Sequence, residues 1–163
     1  MSRARPVSEA AELRQLGRAL NARTDDVVAA MVRRTREADC QLEATIEERF
    51  ARVGAVSTIA VSRWMAGEGP QVAREVGREA WHIFGQLASQ RAAPLNEVTK
   101  RCLRWCDAAR EIVCDCAAQL ELRPAVLEEA LAMLQRSLNV TLVRMCESFE
   151  SERRRADEEL AHR

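Results

Sequence analysis

Tyrosine is absent from this chain, lysine occurs once (Lys100), and only six glycines and four prolines interrupt its 163 residues. Scarce turn-formers favour long helices, and no segment alternates apolar and polar positions with β-branched residues, so no sheet is expected. No run approaches the roughly 18 apolar residues that a membrane-spanning helix needs. The opening Met1-Ser2-Arg3-Ala4-Arg5-Pro6 has two arginines but no apolar stretch behind them, which is not a secretory signal. A cytoplasmic protein with reduced cysteines is expected, with no membrane partner. Net charge is also missing: 25 basic residues balance 25 acidic ones, which gives no footing for the phosphate-driven part of nucleic-acid binding. There is no phosphate-binding glycine loop, no Gly-x-Ser-x-Gly, no His-Glu-x-x-His and no paired-carboxylate constellation, so no catalytic residues are assigned.

What the chain does have is 47% apolar and 31% charged residues spread evenly along it, the mix of one folded domain with one core. The spacing predicts an all-α protein of five or six helices, a bundle or a globin-like arrangement. Ser8 is placed to cap a first helix to about Asn21, with Leu13, Leu16 and Leu20 on one face. Thr24-Asp25-Asp26 starts a second, long helix whose stripe is Val28, Met31, Ala38, Leu42, Ile46, Phe50 and Val53, ended by Gly54. A short third helix over Ser57 to Ala66 carries Ile59, Val61, Trp64 and Met65. Pro70 opens a fourth, Asn96 caps a fifth that reaches about Leu120, and Pro124 opens a sixth. That last helix runs to the end of the sequence, roughly 55 Å at 1.5 Å per residue.

Glu147 to Arg163 carries ten charges yet keeps the apolar rhythm of the helix before it. Leu138, Leu142, Met145, Phe149, Ala156 and Leu160 make a narrow stripe, the width of a partner helix. The expectation is a sensor bundle over 1–146 and a protruding coupling helix over 147–163. The coupling helix would make the chain a homodimer and join it to an output domain downstream.

His82 is the one candidate haem ligand within the folded part of the chain. On a helical wheel, Val72, Val76, Ala80, Ile83, Phe84 and Leu87 share one half, and His82 falls on the other. A proximal histidine must face inward, so no cofactor is expected and haem is the alternative. Cys102 and Cys116 lie on the core stripe of the fifth helix, Cys106 on its shoulder, and Cys114 points away. Cys106 and Cys114 are the redox candidates. Cys102-x-x-x-Cys106 has one-turn spacing but no second pair, so no metal site is expected. Trp64, Trp81 and Trp105 read as core filling or, more sharply, as the lining of a ligand cavity.

Two stretches carry a resemblance. Gln90 to Val98 (Gln-Arg-Ala-Ala-Pro-Leu-Asn-Glu-Val), running into Lys100-Arg101-Cys102-Leu103-Arg104-Trp105, resembles a pattern of helical N-terminal regulatory domains in bacterial signalling proteins. These are the actinobacterial GGDEF/EAL cyclic-di-GMP proteins, PucR-type regulators and stressosome RsbR-like sensors, the last globin-like but without haem. Glu152 to Arg163 is similar to the helical linker that leads into a GGDEF domain. The resemblance implies a non-catalytic sensory domain that controls cyclic-di-GMP synthesis or degradation. A haem-type gas or redox sensor and a stressosome-type interaction scaffold are the alternatives.

Overall fold

A computed structural model describes residues 7–38 and 41–163. The opening stretch read for a signal, Met1 to Pro6, lies outside them. The described residues form six helices and no strand, an all-α bundle: α1 (Glu9–Ala22), α2 (Thr24–Glu37), α3 (Ala44–Arg63), α4 (Pro70–Ser89), α5 (Leu95–Gln119) and α6 (Pro124–Ala161). Among the described residues no helix is long and apolar enough to cross a membrane.

Local chemistry accounts for most boundaries. The Ser8 hydroxyl accepts from the Ala11 amide at 3.1 Å, and Glu9 and Glu12 add negative charge at the positive end of α1. Pro70 and Pro124 open α4 and α6, where a missing amide hydrogen costs nothing. Helices α4 and α5 end in the same way. Ala92 donates to the Leu87 carbonyl and Leu122 to that of Ala117, both at 3.0 Å, while Arg91 (φ 49°) and Glu121 (φ 52°) take the left-handed position. These are Schellman ends with a non-glycine residue where glycine is usual.

One long helix over 24–53 is not what forms. Helix α2 ends at Glu37 and α3 begins at Ala44, with Asp39 and Cys40 between them outside the described residues. Two forces separate the halves. First, α2 packs mainly on α5, whereas α3 packs mainly on α4. Second, the Glu47 carboxylate turns back to accept from the Leu42 amide at 2.8 Å, satisfying a donor at the start of α3. Gly54 therefore stops nothing. It lies mid-helix in α3, where a Cβ would come 2.8 Å from Cε of Met31 on α2. The short third helix expected over 57–66 is the end of α3 plus a π-type turn, Trp64–Glu68. Thr24 does begin α2, but its hydroxyl donates to the Asn21 carbonyl at 2.8 Å instead of capping the helix.

The core is built around α3, which contacts every other helix. Leu16, Leu20, Val56, Val61, Phe84, Leu87, Val98, Val113 and Leu134 are fully enclosed. Small residues let α1 approach closely: a Cβ on Gly17 would stand 2.5 Å from the Ala66 nitrogen and 2.6 Å from the Ser62 carbonyl oxygen. The buried hydroxyls of Thr58 and Ser62 donate to the carbonyls of Gly54 (2.7 Å) and Thr58 (2.6 Å). Burial thus leaves neither donor unmet.

Candidate functional site

The π-type turn between α3 and α4 carries a left-handed residue, Gly67 at φ 92°, and is followed by another, Gly69 at φ 90°. Single π-turns of this kind concentrate at functional positions. Directly beside it lies a pocket of about 220 Å³, walled by α3 (Ser57, Ala60), Trp64, α4 (Pro70, Ala73, Arg74, Gly77, Ala80, Trp81) and α6 (Arg136, Ser137, Val140, Thr141). Its floor is made by buried Ser57, Ala60 and Ala80, and its rim by exposed Pro70, Arg74, Arg136 and Val140. Gly77 leaves room here, since a Cβ would meet nothing nearer than Cζ2 of Trp81 at 3.9 Å.

Two arginines and no carboxylate line this space. Arg74 has no acidic partner among the described residues, and Arg136 reaches only Glu129, at 4.0 Å. The hydroxyl of Ser57, a residue only 7% exposed, makes no hydrogen bond to another described residue. The pocket is therefore apolar in its body, positive at its mouth, and has one unpartnered polar atom in its floor.

Of the three tryptophans, Trp64 and Trp81 line the pocket and Trp105 does not. Trp105 lies deeper and donates to the Thr58 hydroxyl at 3.0 Å. It borders a narrow crevice of about 10 Å³ that shares Ser57 and Thr141 with the pocket. His82 is exposed on the far side of α4, with its Nε2 3.3 Å from the Gln86 amide nitrogen. It does not reach the pocket, and this placement removes it from the ligand-binding set.

The cysteines divide by depth. Cys102, Cys106 and Cys116 are buried, whereas Cys114 and Cys146 are exposed. Burial pushes the Cys102 thiol up to about 12 and raises Cys106 and Cys116 as well. A thiol that resists ionisation and is enclosed is a poor redox sensor. Cys106 is thus a core residue, not a reachable thiol, and Cys114 alone of that pair meets solvent. No group of three possible metal ligands occurs among the described residues.

The α6 stripe is used largely inside the chain itself. Leu138 (4% exposed) and Met145 (0%) belong to the core, and Leu142 and Phe149 pack against it. They are spent on this chain's own body and cannot form a free seam. Nor does α6 clear that body at Glu147. Phe149, Glu152 and Ala156 lie beside the α4–α5 turn at Ala88, Ala93 and Pro94, and Leu160 is the first large apolar residue of the stripe to stand open, at 68%.

A buried ion network escaped the sequence reading. Arg101 (3% exposed) spans both oxygens of Glu47, at 2.5 and 2.7 Å, and its Nε donates to Glu97 at 2.8 Å. Its guanidinium also lies over the Phe50 ring, 4.9 Å from the centroid. Burial alone would favour discharge of Arg101, but the two carboxylates outweigh it and hold the group charged. The Arg101 guanidinium in turn holds the Glu47 carboxyl below its ordinary value. Glu97 and Arg101, at helical spacing in the sequence, were the available signal.

No protein-family model, characterised protein or solved structure matches this chain.

Proposed function

We propose that this is a non-catalytic sensory module, in which the state of the pocket is passed along α6 to an output domain. One observation carries the reading: a single uninterrupted helix both walls the pocket and runs on along the α4–α5 turn to an exposed end. Arg136, Ser137, Val140 and Thr141 face the pocket, Leu138 and Met145 anchor the same turns in the core, and Leu160 stands clear. A stiff helix held at one end by a deformable wall conveys a shift or rotation to its other end. Ligand that favours one setting of that wall would bias the populations of both ends.

The output proposed from the resemblance of Glu152 to Arg163 is cyclic-di-GMP synthesis or degradation. Self-association is then a property of the exposed end, through Leu160. The stripe residues committed to the core take no part in it. Arg154 and Arg155 pair along the helix there with Glu150, Glu152 and Glu159, at 3.4 to 3.9 Å.

The test is a fusion in which α6 runs unbroken into a GGDEF domain, with cyclic-di-GMP formation as readout. Filling the pocket with Gly77→Leu, or opening the terminal contact with Leu160→Glu, changes the output rate on this reading. Equal rates in all three fusions contradict it.

A further inference from the structure

We infer that the pocket between α3, α4 and α6 binds a small aromatic carboxylate, its ring against Trp64 and Trp81 and its carboxylate between Arg74 and Arg136. This assignment deepens the sensory reading of the same pocket and rests on it, but binding is measured below without any output.

Size sets the body of the ligand. An apolar cavity of about 150 Å³ is filled by benzene, and this one is about 220 Å³. One ring with a short side arm fits within it. The lining sets its character. Ala60, Ala73, Ala80 and Val140 offer apolar surface, and the two indoles offer flat π faces that prefer offset or edge contact with another ring. A branched aliphatic body would forgo those contacts.

Charge sets the head group. With two guanidinium groups and no carboxylate in the lining, and Glu129 only at 4.0 Å from Arg136, a cationic ligand would be repelled, and a neutral one would leave Arg74 without a charged partner. Arginine presents a planar fork that matches a carboxylate in two parallel hydrogen bonds. The arginines stand at the exposed rim and the apolar groups at the buried floor. The ligand therefore enters ring first, with its charged end kept at the mouth. The unpartnered Ser57 hydroxyl in the floor adds one polar contact for a substituent on the ring.

The experiment is fluorine NMR of 4-fluorophenylacetate titrated with the whole chain, beside 4-fluorobenzyl alcohol and 4-fluorobenzylamine as neutral and cationic probes. The acid is expected to broaden and shift on addition of protein. The neutral and cationic probes should bind at least about tenfold more weakly, the loss that goes with one charge-assisted hydrogen bond. Arg74→Gln and Arg136→Gln, both at exposed positions, should each weaken the acid about tenfold with unchanged circular dichroism. Gly77→Leu should abolish binding by filling the space. No response to the acid, equal binding of all three probes, or arginine variants that bind like the wild type would each overturn the assignment. These outcomes are separate from transmission: binding with an unresponsive α6 refutes the sensory reading and leaves the site standing.

Discussion

The guanidinium of Arg144 lies over the ring of Trp81, 4.9 Å from its centroid, and so fastens α6 to a side chain that also walls the pocket. The contact is short, crosses between helices, and is set in a half-open position, with the Arg144 side chain 52% exposed. Cation–π pairs in such surroundings contribute about 0.5 to 1 kcal/mol. Arg144→Gln is therefore expected to lower stability by about 0.5 kcal/mol and to shift indole emission, because Trp81 loses its charged neighbour. Urea unfolding followed by fluorescence checks both. An unchanged native emission spectrum would show that the contact does not hold the ring.

Arg101 should be among the most costly side chains to remove. Its loss takes from Glu97, 7% exposed, the 2.8 Å contact while Arg104 stays at 3.3 Å, and leaves Glu47 without its bidentate partner. Breaking one side of a buried pair costs about 3 to 5 kcal/mol, mostly from the charge left behind. Arg101→Met is expected to destabilise by that amount in denaturant titration. Adding Glu97→Gln should restore part of the loss, since an amide tolerates the site better than a carboxylate that has lost its 2.8 Å contact to Arg101. A double variant no more stable than the single one would contradict this account.

Acid should weaken the same junction in a defined direction. The Arg101 hydrogen bonds depress Glu47 below the ordinary value of 4.5, the value it regains on unfolding. A carboxyl with a lowered folded-state value adds stability that is complete above about 4.5 and lost as pH falls through the folded value. Stability should thus show no Glu47 contribution to its slope near neutrality and fall below about pH 4.5, where the unfolded state takes up the proton first. Glu47→Gln should be less stable near neutrality and flatter in acid. Parallel curves for the two proteins would refute the linkage.

Two glycines should respond oppositely to alanine. At Gly17 the added methyl would stand 2.5 Å from backbone nitrogen and 2.6 Å from backbone oxygen, contacts that only a shift of α1 can relieve. Gly17→Ala is expected to cost about 1 to 3 kcal/mol, the usual penalty of overpacking. Gly85, in α4, has nothing within 4 Å of its built Cβ. Gly85→Ala should stabilise by about 0.5 to 1 kcal/mol through helix propensity alone. Thermal unfolding of the two variants distinguishes them by sign.

Helix identity was readable because its signals are local. Ser8, Pro70 and Pro124 announce starts, and the apolar rhythm of α4 and α5 places Phe84, Leu87, Cys102 and Cys116 inward, as found. The gap between α2 and α3 was not readable. No glycine or proline marks it, and the rhythm from Met31 to Phe50 runs straight across. What opens it is non-local, the different partners of the two helices and the engagement of Glu47 with Leu42 and Arg101. The α6 stripe misled for a related reason: periodicity shows that Leu138 and Met145 are covered but not by which chain. The pocket required three helices to be placed before Trp64 and Trp81 could be seen together, and Trp105 apart.

On the proposed mechanism, occupancy of the pocket is felt at the far end of α6. Amide hydrogen exchange of residues 150–161, compared between the wild type and Gly77→Leu, tests it most directly. Leucine at 77 would fill the space beside Trp81 and brace the α6 wall, so slower exchange over 150–161 is predicted. Exchange altered only around α3, α4 and the nearby turns of α6, with 150–161 unchanged, would contradict it.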